Sequence, residues 1–159
     1  MPKPNLLNIS GEIISALEAN RPVVALESTV IAHGLPRPTN FEVAQTLENN
    51  LRRGGVTPAT IGIINGELTV GLNVEQISFL AEDPNVKKIS TRDLPIALAR
   101  GWTGATTVAS TSWIAHRAGI NVFATGGIGG VHRGTLRDIS ADLPDSLMRF
   151  LARAITSSS

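Results

Sequence analysis

The sequence predicts an α/β layered domain in which helices flank a mixed, mostly parallel sheet. Three observations carry that class. Short apolar runs without helical period alternate with segments whose apolar residues recur at helical spacing. One pair of β-rich runs is joined by Asn65-Gly66, a dipeptide whose tolerance of positive φ favours a tight antiparallel hairpin. And 159 residues with 42% hydrophobic content are enough for one core of ordinary domain size.

The elements follow in order. Ser10 opens a helix because its hydroxyl satisfies an orphan amide while Ile13, Ile14 and Leu17 share one face; Arg21-Pro22 ends it. Val23-Val24-Ala25-Leu26 suits a buried strand and runs directly into Glu27-Ser28-Thr29. After a loop carrying His33-Gly34-Leu35-Pro36-Arg37-Pro38, Thr39 or Asn40 starts a helix with Phe41, Ala44, Leu47 and Leu51 on its face, closed by Gly54-Gly55. Residues 60–64 and 68–72 are the hairpin strands. Asn73 caps a helix over 74–80, residues 86–89 form a short strand, and Thr91 with Asp93 opens a helix ending near Gly101. Gly104-Ala105-Thr106-Thr107 leads into a helix offering Val108, Ile114 and Ala115 to a core. Residues 120–124 make a buried strand that empties into a glycine-rich loop. Beyond it, Pro144 holds a first helical position, and Leu147, Phe150, Leu151 and Ile155 form an amphipathic face before a frayed serine tail. The expected division is a domain over 1–143 and a divergent helix and tail over 144–159. Because no strand follows the glycine loop, the sheet is expected to be incomplete at its carboxyl end.

Fourteen basic against thirteen acidic residues leave a net charge of +1, which lacks the footprint of a nucleic-acid or anionic-membrane binder. No cysteine is present, so disulfides and thiolate metal sites are excluded, and a reducing, cytoplasmic setting is expected. The segment MPKPNLLNIS lacks the apolar core of a signal peptide, and no run reaches the roughly 18 apolar residues of a membrane span.

Four groups of residues can carry chemistry. Thr125-Gly126-Gly127-Ile128-Gly129-Gly130-Val131-His132-Arg133-Gly134 follows a strand, where glycines let backbone amides approach an anion and Arg133 adds permanent charge. A sugar-phosphate cradle and a plain surface glycine loop both fit; dinucleotide and P-loop spacings do not. Asp138-Ile139-Ser140-Ala141-Asp142 offers oxygen ligands suited to Mg²⁺ or Mn²⁺, while spacing alone favours Asp138 ending the loop and Asp142 capping a helix. Glu27 has apolar residues on one side and hydroxyls on the other, a setting that raises a carboxyl pKa towards neutrality; it equally fits a strand-end carboxylate bonded to amides or Arg37. Lys87-Lys88 reads as a solvated pair unless Lys88 ends its strand facing a phosphate. His33 and His132 are too distant in sequence for a metal motif and read as loop hydrogen-bonders.

Five ordered segments, VVALESTVIAHGLPRPTN at 23–40, TPATIGIINGELTVGL at 57–72, KISTRDLP at 88–95, GATTVAST at 104–111, and VFATGGIGGVHRG followed by DISADL, closely resemble the pseudouridine-5'-phosphate glycosidase (indigoidine synthase A-like) family. The resemblance implies an enzyme that reversibly splits the C–C glycosidic bond of pseudouridine 5'-phosphate to uracil and ribose 5-phosphate, uses Mn²⁺ and assembles as a homotrimer. By residue matching it implies Glu27 as proton donor, Lys88 and Val108 as substrate-binding positions, and Asp138 as metal ligand. It assigns Ser140, Ala141 and Asp142 to substrate contact, which displaces the capping reading of that segment. A C–C bond has no leaving oxygen to protonate, and the family answers with a lysine that attacks the sugar C1' and forms an imine. Counted from Asp138, that lysine's place falls on Ser159, and residues 144–159 contain no lysine. The loop between Gly134 and Asp138 is also shorter than the family's. A truncated amino-terminal half is therefore expected, and with it a second reading: a catalytically inactive fragment or paralogue that binds sugar phosphate or full-length subunits.

Overall fold

The computed structural model describes residues 7–126. β1 (Leu7–Ile9) leads into α1 (Gly11–Glu18), where Ser10 takes extended backbone and its Oγ accepts the Ile13 N–H at 3.4 Å. The helix stops at Ala19 because Asn20 turns left-handed at φ 51°, before Arg21-Pro22 is reached. β2 (Val23–Leu26) is followed by a single π-helical turn, Val30–Gly34, where the sequence suggests only loop, and then by α2 (Thr39–Arg53). β3 (Thr57–Ile64) and β4 (Glu67–Val70) form the expected hairpin through Asn65 (φ 50°) and Gly66 (φ 80°). α3 (Val74–Glu82) begins with a capping box between Asn73 and Gln76. β5 (Lys87–Ile89), a 3-10 turn at Thr91–Asp93, α4 (Leu94–Ala99), β6 (Gly104–Thr106), α5 (Val108–Arg117) and β7 (Val122–Ala124) complete the described chain.

The seven strands make one mixed sheet, with β1 on β4, β4 on β3, β3 on β2 and β2 on β7, while β6 bridges β3 and β5. The β1·β4, β2·β3, β2·β7 and β5·β6 pairs are parallel; β3·β4 and β3·β6 are antiparallel. The mostly parallel character that the sequence predicts is therefore observed. Two strands, β1 and β6, have no counterpart in the sequence reading, because three residues are too few to show a period of two.

Helices cover both faces. On one, Ile13 and Ala16 of α1, Leu94 and Ala97 of α4, and Ile114 and Ala115 of α5 pack against Ala59, Ile61, Ile63, Leu68 and Val70. On the other, Ala44 of α2 and Ile77, Leu80 and Ala81 of α3 pack with Ile31, Leu72, Val86 and Ala105. β3 alternates between these cores, which is why it is buried along almost its whole length.

Two expectations are corrected. The expected α2 face holds for Ala44, which is buried, and for Phe41, which packs against the same core, but not for Leu47, which is 44% exposed; the buried positions are Asn40, Ala44 and Glu48. The rotation is possible because the polar groups it buries are satisfied: Asn40 Nδ2 donates to the Ile31 and Ala81 carbonyls, each at 2.9 Å, and Glu48 accepts the Thr60 hydroxyl and Arg52 Nη1. Arg52 also reaches Glu12 of α1; burial works to lower its pKa, and the bonds to Glu12 and Glu48 outweigh that and raise it. The strand expected over 120–124 is shorter, Val122–Ala124, and Val122 is 54% exposed; Ile120, just before it, is buried as expected, and β7 pairs only with β2 among the described residues.

Gly104 sits where β6 approaches β5. A Cβ there would fall on Ile89 Cγ1 and lie 2.9 Å from the Lys87 carbonyl oxygen. Gly104→Ala is expected to destabilise the fold by about 1–3 kcal/mol in urea unfolding, with the loss seen first in β5 amide exchange.

Candidate functional site at the carboxyl ends of four strands

β2 and β6 occupy the same edge of β3 and run towards each other. β2 pairs parallel with β3 up to Leu26 opposite Thr60; β6 pairs antiparallel, with Ala105 opposite Gly62. They meet at the Ile61 carbonyl. Ser28 Oγ donates to it at 2.6 Å and Thr106 Oγ1 donates to it at 2.7 Å. The Thr106 N–H donates back to Ser28 Oγ at 2.8 Å, and the Thr111 hydroxyl of α5 donates to Thr106 Oγ1 at 2.9 Å. Ser28, Thr106 and Thr111 are all completely buried. β7 runs parallel to β2 and ends with Ala124 beside Leu26; β5 runs parallel to β6 and ends with Ile89 beside Thr106. Four carboxyl ends thus converge on one place, which is where open α/β sheets hold their ligands.

The side chains predicted from sequence distribute unevenly around this point. Glu27, directly after β2, is half-buried, and Thr125, directly after β7, donates its hydroxyl to Glu27 Oε1 at 2.5 Å. Sequence did not suggest this partner; Arg37, which it did suggest, is exposed. Val108 opens α5 two residues after Thr106; its side chain is only 5% exposed, so what it offers to the junction is its backbone, at the positive end of a helix dipole. Lys88 lies one residue before the carboxyl end of β5 and is exposed. Its register partner is Ala105, so it projects on the face covered by α2 and α3. Lys87 projects on the other face, its Nζ 5.8 Å from the centroid of the Trp102 ring. The pair that looked uniformly solvated is divided between two surfaces, and only Lys88 belongs with the converging strand ends.

Asp138, Ser140, Ala141 and Asp142 lie outside the described residues, as do His132, Arg133, the glycine run from Gly127 and the helix expected from Pro144. Among the described residues no group of three or more His, Asp or Glu side chains converges as a metal site, and His33 is an exposed residue of the π turn. The described part of the fold therefore offers no resident Mn²⁺ cage. Sequence reading missed the hydroxyls that build the site: Ser28, Thr106, Thr111 and Thr125. The one signal for them was the density of small hydroxyl residues in otherwise apolar surroundings, at 28–29 and 106–112.

The family model for Indigoidine synthase A like protein matches residues 12–155. The chain belongs to the indigoidine synthase A-like family. It is 62% identical over 137 residues to a pseudouridine-5'-phosphate glycosidase of Saccharopolyspora erythraea, covering 85% of this chain and 45% of that protein. It is 57% identical over 145 residues to the enzyme of that name from Escherichia coli, covering 89% and 46%. Among solved structures, the prealnumycin C-glycosynthase AlnA in complex with ribulose 5-phosphate superposes with a TM-score of 0.77 at 49% identity, over 88% of this chain and 46% of that one. An indigoidine synthase A-like protein from Thermotoga maritima gives 0.76 at 34% identity, over 91% and 48%. The chain thus spans about half the length of the family members it matches. No helix among the described residues is long and apolar enough to cross a membrane.

The Ser28 hydroxyl joins β2 to β3 and β6 at the junction. Ser28→Ala leaves the buried Thr106 N–H without its acceptor, and equilibrium denaturation is expected to show a loss of about 1–3 kcal/mol.

Proposed function

We propose that the residues at the converging strand ends bind the ribose 5-phosphate part of pseudouridine 5'-phosphate, and that the chain supplies this half of a glycosidase site. The reaction is the reversible cleavage of the C–C glycosidic bond to uracil and ribose 5-phosphate. The observation that carries the reading is the convergence itself: Glu27, the start of α5 and the end of β5 meet around one anchored point, ahead of the glycine-rich segment. The sugar phosphate in the AlnA structure and the names of the curated relatives support the substrate class.

In this reading Glu27 donates the proton that the departing uracil carbon requires, with Thr125 fixing the orientation of its carboxyl group. Lys88 and the backbone at Val108 meet the phosphate and sugar, the first with a point charge, the second with helix-end amides. Ser140, Ala141 and Asp142 contact the substrate. Asp138 takes Mn²⁺, which with one carboxylate and several waters would supply charge neutralisation. We place the protein in the cytoplasm and expect a homotrimer, which sedimentation analysis checks.

A second reading, binding without turnover, is favoured by one specific observation. The chain's lysines are Lys3, Lys87 and Lys88, and the position that the resemblance gives to the imine-forming lysine is Ser159. Calorimetric titration with ribose 5-phosphate and a uracil-release assay with pseudouridine 5'-phosphate and Mn²⁺ separate the two. Binding with release at background supports the second reading, binding with release supports the first, and absence of both defeats each. Lys88→Ala is expected to weaken ribose 5-phosphate binding by about tenfold or more, the scale of one hydrogen bond to a charged group. Asp138→Asn is expected to abolish the change in the Mn²⁺ electron paramagnetic resonance spectrum that the unchanged chain produces.

A further inference from the structure

Glu27, Val108 and Lys88 lie on three different segments, and nothing in the local sequence around any of them fixes its distance from the others. Hydrogen bonds do. The Thr29 hydroxyl, two residues after Glu27, donates to the Thr106 carbonyl at 2.8 Å. The next residue, Thr107, donates its N–H to the Ile89 carbonyl at 3.1 Å. Ser110, in the first turn of α5, donates its hydroxyl to the same Ile89 carbonyl at 2.6 Å. Ile89 directly follows Lys88 and is the last residue of β5. A continuous path therefore runs from the Glu27 turn through the start of α5 to the end of the Lys88 strand. At each loop it is closed by a side-chain hydroxyl on a backbone carbonyl.

These two hydroxyls differ from the Ser28 and Thr106 pair. Ser28 and Thr106 satisfy the β3 edge, which any protein with this sheet needs. The Thr29 and Ser110 hydroxyls donate elsewhere, to Thr106 and to Ile89 and Thr107. They tie loop to strand end and helix to strand end, across separations of 77 and 21 residues, on the side where the strand ends converge. Thr29 is half-buried and Ser110 is completely buried, so these bonds are sheltered from competing water.

We infer that Thr29 and Ser110 are positioning residues: Thr29 sets Glu27 against the start of α5, and Ser110 sets the Lys88 end of β5 against that same helix turn. The inference rests on the sugar-phosphate reading of the site for its functional consequence, and on geometry alone for the positioning. Neither residue needs to touch the ligand. Their contribution is to hold groups from three segments at one spacing before a ligand arrives, so that binding does not have to order them.

The experiment compares Thr29→Val, Thr29→Ser, Ser110→Ala and the surface control Ser78→Ala in the full chain. The Glu27 carboxyl carbon and the Val108 and Lys88 amides are followed by NMR, and ribose 5-phosphate is titrated by calorimetry. Thr29→Val, which keeps shape and loses the hydroxyl, is expected to shift the Glu27 and Val108 signals and to weaken ribose 5-phosphate binding about fivefold to tenfold. Thr29→Ser restores both. Ser110→Ala is expected to shift Lys88 and Val108 while leaving Glu27 in place, and Ser78→Ala to shift none of the three. If Thr29→Val and Thr29→Ser place the Glu27 and Val108 signals alike, or Ser110→Ala leaves Lys88 unmoved, the positioning role is overturned. If the unchanged chain takes up no ribose 5-phosphate, the sugar-phosphate reading fails while the NMR comparison still decides the positioning.

Discussion

The carbonyl oxygen of Ile61 is the point on which the sheet depends. Two parallel pairs of strands, β2 with β7 and β6 with β5, approach it from opposite directions along one edge of β3. Strands that meet head-on leave backbone groups without ladder partners at the junction, and buried groups of that kind must be satisfied or cost about 1–3 kcal/mol each. Ser28 and Thr106 provide the missing bonds with side-chain hydroxyls, both converging on Ile61. Among the described residues no buried side-chain polar atom is left unpaired. A larger side chain at either place would fill the junction without bonding it, and an apolar one would leave the Thr106 amide or the Ile61 oxygen short of a partner.

The same arrangement makes the site. Strands meeting by their carboxyl ends bring the residues just beyond those ends together, so Glu27, Thr125, Thr107 and Ser90 become neighbours of one junction although they come from all parts of the chain. Loops are ordinarily the mobile part of a domain; these leave from strand ends stitched to one another by hydrogen bonds, which restrains the residues that follow them. β3 carries load on its other side too. Thr60, one residue before Ile61, gives its hydroxyl to Glu48 of α2, and its carbonyl accepts the Gly71 and Leu72 amides beyond β4. The central strand is thus tied to a helix and a hairpin at the very place where the two halves meet.

Glu48 and Asn40 show the principle that decided the burial pattern. A helix face is selected by whether everything it buries can be satisfied, and hydrophobicity is one contribution among several. Asn40 joins the π turn to α3 through two carbonyls, and Glu48 joins α2 to β3, so the face that contains them wins over the more apolar face containing Val43 and Leu47. The exposed Val43 and Leu47 are the consequence.

What the sequence determined by itself was everything governed by neighbours a few residues apart. The caps at Ser10 and Asn73, the Asn65-Gly66 hairpin, the apolar β2 run and the helical periods of α3 and α5 each follow from local rules, and the structure has them where those rules put them, whereas in α1 Ile13 is buried with Ala16 and Ile14 is 43% exposed. The family was legible for a related reason, since its motifs are contiguous strings. Those strings named Glu27, Lys88 and Val108 as candidates, and the structure sets them around the converging strand ends, while Asp138, Ser140, Ala141 and Asp142 lie outside the described residues. The tertiary structure alone decided that β1 and β6 are strands, which face of α2 is buried, that Thr125 partners Glu27, and that two strands meet end to end. These depend on bonds such as that from Thr106 to Ser28, 78 residues apart. A bond of that length leaves no period or spacing in the sequence, because its partners are set by how the strands stack and not by how the chain runs between them.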